Sequence, residues 1–224
     1  MNLTMIRHLV SKDFSQSKYY IAMYSVFGIL SVSISLIGAD TWFYVSMVFA
    51  ITCLIGVGLH PMFVHILVER KEQNFPFVMS LPVTHMEFTI GKILFVYLFA
   101  GIPWLCVVLT TTVIALNSPL IPVGFLGPAV IIAFEMFAAY SGTLAIALVI
   151  TSEPAMVATI VIGNIGVNFF IMWLFRMEEV VSVANSTTFA WNSTLSAILG
   201  AELAFLVFVL ALTCLLQSRK KDLI

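Results

Sequence analysis

Two glutamates stand inside stretches that are otherwise apolar: Glu135 in residues 125–150 and Glu202 in residues 195–217. A carboxyl at membrane depth is costly, and by default it marks a functional site such as a proton relay or a substrate contact. Glu135 lies about 15 Å along its segment at about 1.5 Å per residue. It is expected either to line a translocation path or subunit contact, or to be a protonated, hydrogen-bonded packing group. Glu202 lies near the start of its segment and is expected to reach the headgroups or Arg176. Asn164 and Asn168 are four residues apart, on one helical face beside Gly163 and Gly166. Small and polar residues of this kind form helix contacts in lipid, so this face is predicted to be a subunit contact or part of the translocation path. His60 and His65 are five apart, off the i, i+4 spacing that pairs two metal ligands on a helix. Cys53, Cys106 and Cys214 fall in apolar runs without ligand spacing. No metal site is predicted.

The nucleotide and hydrolase motifs are missing. There is no phosphate loop: Gly91-Lys92 has Met86 where that motif requires its first glycine. There is no Gly-x-Ser-x-Gly elbow and no His-Glu-x-x-His. No catalytic residue is assigned, no cofactor of its own is expected, and the chain does not read as an enzyme.

The segments that carry these residues read as membrane helices. Of 224 residues, 61% are hydrophobic and 9% charged, against about a quarter charged in soluble domains. Spanning the hydrocarbon core takes roughly 20 apolar residues. Six such segments fit, at about 19–37, 42–68, 85–116, 125–150, 155–175 and 195–217, in a single all-α permease-like domain covering 1–224. Residues 1–18 place Leu3, Ile6, Val10 and Phe14 at helical spacing among Arg7, Lys12 and Lys18. This predicts a separate amphipathic helix on the membrane surface. Lys92, near the end of the third segment, is expected to snorkel to the headgroups.

Lysine and arginine orient the chain. Arg7, Lys12, Lys18, Arg70, Lys71, Lys92, Arg219, Lys220 and Lys221 fall on one side, and only Arg176 on the other. Both termini and the loop after the second helix are therefore expected in the cytoplasm. The lipid bilayer is the first partner, and no nucleic-acid partner is expected.

That loop, from residue 69 to 92, opens with four consecutive charges, Glu69-Arg70-Lys71-Glu72. Pro76 and Pro82 then bracket a short apolar piece, and Thr84-His85-Met86-Glu87 forms a capping-box pattern before the next apolar run. A short helix across the membrane surface is predicted between the second and third spans. The Glu-Arg-Lys-Glu end, the apolar knuckle and Ser80-Leu81-Pro82-Val83 resemble the first cytoplasmic loop of ATP-binding-cassette (ABC) type-2 exporter permeases. The resemblance extends loosely over the whole chain through its length, helix count and basic N-terminus. It implies that residues 75–82 form a coupling helix seated in a groove of a separate ATPase subunit. Glu69, Arg70, Glu72, Phe75, Phe77, Val78, Leu81 and Pro82 would form that contact. It also implies a second permease copy or paralogue as partner, ATP and Mg bound only by the ATPase, a bacterial plasma membrane, and efflux as the activity. The alternatives are an ion-coupled secondary transporter using Glu135, and a non-transporting immunity or sensor subunit.

Overall fold

A computed structural model describes residues 2–38, 40–68, 84–118, 120–150 and 152–219. Apolar segments of this length can satisfy their backbone groups in lipid only within a helix or a closed barrel. Here they are helices, with no strand among the described residues. In chain order they are α1 (Leu3–Ser33), α2 (Asp40–Met62), α3 (His85–Asn117), α4 (Leu126–Val149), α5 (Glu153–Leu174), the short α6 (Glu178–Ala184) and α7 (Ser193–Ser218). A 3-10 turn, Ile34–Ile37, follows α1, a π-helical turn, Phe63–Val68, extends α2, and a second 3-10 turn, Val123–Phe125, leads into α4. Six helical stretches are long and apolar enough to cross a membrane. Their bounds lie close to the expected ones from the second span onward.

The helix starts have local causes. The Asn2 side chain accepts from the Thr4 and Met5 amides at the head of α1. Thr84 and Glu87 form the capping box predicted for α3: the Glu87 amide donates to Thr84 Oγ1 at 3.2 Å, and the Thr84 amide donates to Glu87 Oε2 at 3.0 Å. Asn192 accepts from the Leu195 amide to open α7. Each such cap stabilises a helix by about 1 kcal/mol.

Residues 3–18 do not form a separate element. They are the first half of α1, which runs unbroken through Lys18 and Tyr19. Nothing between residues 13 and 20 breaks a helix, as there is no Gly or Pro. The inward face also differs from the expected apolar one. Leu3 is exposed, while Ile6, Asp13, Ser17 and Ile21 are buried, because α1 packs along α3.

In α2, Pro61 removes one amide from the ladder, and the helix passes into the π turn two residues later. The core is built around Phe95, Phe99, Met62, Ile131, Met136 and Leu144, all almost fully buried. Buried residues make up 56% of the most apolar stretch of α4 but 17% of those of α5 and α7. So α4 is the centre of the second half of the bundle, and α5 and α7 are its outer walls.

Hydrogen bonds fix which helix ends lie together. At one end the Asn2 amide donates to Glu87, and Gln217 Nε2 donates to the Leu148 carbonyl at 2.7 Å. At the other, the Gly124 amide donates to the Ser186 carbonyl at 3.0 Å. A Cβ on Gly124 would lie 2.1 Å from the Val183 carbonyl oxygen, so the backbones there approach to a distance only glycine permits. Gly124→Ala is expected to cost about 1–3 kcal/mol by overpacking, read as a lower melting temperature of the purified chain in detergent. Unchanged melting would mean the close approach does not exist.

Candidate functional site

Two polar assemblies lie within this apolar bundle. The first joins α1, the π turn and α3. Asp13 on α1 is 3% exposed and Lys92 on α3 is 4% exposed. Lys92 Nζ donates to Asp13 Oδ2 at 2.8 Å. His65, on the π turn, places Nδ1 3.9 Å from Asp13 Oδ1 and Nε2 2.7 Å from Ser17 Oγ. The Lys92 ammonium also sits 5.5 Å from the centre of the Phe88 ring, within cation–π range. Lys92 therefore does not snorkel. Its charge is met inside the bundle by a carboxylate one helix away, so the excursion to the headgroups brings no gain. Three helical segments are bound by one ion cluster, and Glu87 adds a further tie between the starts of α1 and α3. A buried pair of this kind is weak support for stability but strongly opposed to being broken.

The second assembly is a groove of about 530 Å³ between α4, α5 and α7. Its walls are mostly aliphatic and aromatic, opened by Gly142, Gly163 and Gly166. Glu135 and Glu202 both line it, and among the described residues no lysine, arginine or histidine does. Each carboxyl lies nine residues beyond the first residue of its helix, Leu126 or Ser193. Both helices run in the same direction through the bundle, so the two sit at the same level, about 14 Å in at about 1.5 Å per residue. Glu202 is 6% exposed, and neither of its carboxyl oxygens has a hydrogen-bond partner among the described residues. This corrects the expectation that it reaches the headgroups or Arg176. The reason is geometric: α4 and α5 enclose that face of α7, while Arg176 lies exposed beyond the end of α5.

Of the residues singled out in the sequence, Glu135 is in the groove. Asn164 is not: it lines a small separate cavity with Tyr140, Ile55 and Leu59. Asn168 is exposed. Their side-chain amides donate to the carbonyls of Ile160 and Asn164, at 2.9 and 2.8 Å, so each is satisfied within α5. It is the glycines of that stretch, Gly163 and Gly166, that face the carboxyls. Glu69, Arg70, Glu72, Phe75, Phe77, Val78, Leu81 and Pro82 lie outside the described residues. Among those described, no group of three or more His, Cys, Asp or Glu side chains is placed to hold a metal ion.

Sequence reasoning missed the roles of Asp13 and His65. Asp13 is flanked by lysine and phenylalanine in a stretch that reads as a surface helix. The available signal was Lys92, a cation inside a membrane span, which calls for an anion nearby. Compared with known proteins, the chain matches no protein-family model, no curated protein and no solved structure.

Proposed function

We propose that the chain is the membrane-spanning subunit of an exporter driven by a separate ABC ATPase. The observation that carries this reading is the Asp13–Lys92–His65 cluster. The π turn and the start of α3 flank the charged loop at residues 69–83, and both are fastened to α1 through Asp13. A load applied to that loop is then borne by three helices together rather than by one hinge. The contacts of α2 and α3 with α4 carry such a movement toward the groove. Under this reading, residues 75–82 receive the ATPase, Glu135 belongs to the translocation path, and a second permease subunit completes the assembly. ATP and Mg are bound by the partner, consistent with the missing phosphate loop in this chain.

The reading requires residues 69–83 and both termini in the cytoplasm, as the lysine and arginine distribution implies. In a background with the three native cysteines replaced, a cysteine at Ser186 is expected to react with a membrane-impermeant maleimide in intact cells. A cysteine at Gln73 is expected to react only after the membrane is opened. The reverse pattern would place the loop where no ATPase can reach it.

The two carboxyls in the groove favour a second reading, an ion-coupled carrier. Transport by the isolated chain that follows a proton gradient, with no ATPase present, would select it.

A further inference from the structure

Among the described residues, the groove between α4, α5 and α7 is lined by two acids and no base. Two carboxyls at one level in a low-dielectric cleft cannot both stay ionised unless a cation lies between them. Glu202, 6% exposed, lines the groove, and neither of its carboxyl oxygens has a hydrogen-bond partner among the described residues. A buried acceptor left in this way is costly unless something else satisfies it.

The walls indicate what kind of cation fits. A hard metal ion is held in a cage of about six to eight oxygens, whereas the described lining of the groove is apolar apart from the two carboxyls and the hydroxyls of Thr143 and Thr159. The volume, about 530 Å³, falls in the range of small-molecule pockets, roughly 300–1,000 Å³. Phe170, Trp173 and Phe205 line it as well, and Phe170 and Trp173 are in contact, with ring centres 5.7 Å apart. Aromatic faces and carboxylates both attract a cation, and the rest of the lining favours an apolar body.

We propose that this groove is a binding site for a lipophilic, monovalent organic cation, with Glu202 and Glu135 opposing its charge and the α5 and α7 aromatics covering its apolar body. The proposal goes beyond the exporter reading and does not depend on it, because binding is measured on this chain alone.

The test uses the full chain in phosphatidylcholine nanodiscs and radiolabelled tetraphenylphosphonium, with empty nanodiscs to subtract partition into lipid. One saturable site per chain is expected. Glu202→Gln and Glu135→Gln are each expected to weaken binding roughly tenfold or more. Tetraphenylborate has the same shape and the opposite charge, and it is expected not to compete. Gly166→Leu supplies a second arm that keeps both carboxyls. Gly166 lines the groove, and a Cβ there meets nothing within 4 Å, so the longer side chain fills the groove without a backbone clash and is expected to abolish binding. No saturable binding above empty nanodiscs would overturn the proposal. So would equal competition by tetraphenylborate, or binding that survives Gly166→Leu. If Gly166→Leu changed only the oligomeric state, the groove would be a subunit contact and the proposal would be wrong.

Discussion

Replacing Asp13 by Asn is expected to destabilise the chain by about 3–5 kcal/mol, the cost of removing one member of a buried ion pair. Lys92 cannot simply turn outward in the variant, because Phe88 and Phe95 pack beside the cluster and α1 covers its ammonium. The loss is expected as a large fall in melting temperature and in the amount of folded chain recovered from the membrane. Lys92→Met alone is expected to do the same, since it leaves the carboxylate buried. Combining Asp13→Leu with Lys92→Met removes both charges. That pair is expected to recover most of the loss, because apolar replacement of a whole buried pair is often neutral or stabilising. The stability of the double variant thus separates charge pairing from packing. If it melted no higher than the single variants, the cluster would matter for its shape and not for its charges. On the coupling account the double variant is also expected to fold yet transport poorly, since α1 would no longer be fastened to α3 by a directed bond.

On the exporter reading, Phe77→Asp together with Leu81→Asp is expected to remove the partner ATPase while leaving the chain in the membrane at its normal level. Phe77, Val78 and Leu81 are apolar residues in a loop that opens with the charges Glu69 to Glu72. In such a setting, apolar side chains usually mark a protein contact. A buried Phe or Leu contributes about 1.5–3 kcal/mol, and each 1.4 kcal/mol is about tenfold in affinity, so two such losses exceed a hundredfold. Insertion depends on the flanking spans, which the substitutions leave intact. Loss of membrane expression would instead mean that these side chains pack on the chain's own helices or enter lipid.

Much of the fold was legible because lipid allows few solutions. A run of about 20 apolar residues must be a helix, and charges, Gly and Pro mark where it stops. The capping box at Thr84 and Glu87 was visible because its spacing is local. Residues 3–18 were misread as a separate surface element because amphipathic spacing shows where apolar residues lie, not which face a neighbouring helix covers. The inward face of α1 carries Asp13 and Ser17, whose partners are Lys92, 79 residues away, and His65, 48 residues away. Glu135 stood out as a carboxyl in an apolar run. Its relation to Glu202 could not be read, because it needs the parallel placement of α4 and α7, helices with two others between them in the chain. Asn164 and Asn168 looked like lining residues on type and spacing alone. In α5 both turn back to their own helix carbonyls, which an isolated polar group in lipid does readily.

The central claim is that a second polypeptide drives this one with ATP. The most direct measurement is to purify the full chain from its native membrane in mild detergent, then identify what elutes with it and assay the eluate for ATP hydrolysis. The account predicts a stoichiometric partner that carries a phosphate loop and hydrolyses ATP, lost from the eluate when Phe77 and Leu81 are both changed to Asp. A chain that elutes without any nucleotide-hydrolysing partner, or a double variant that keeps its ATPase at full occupancy, would contradict it.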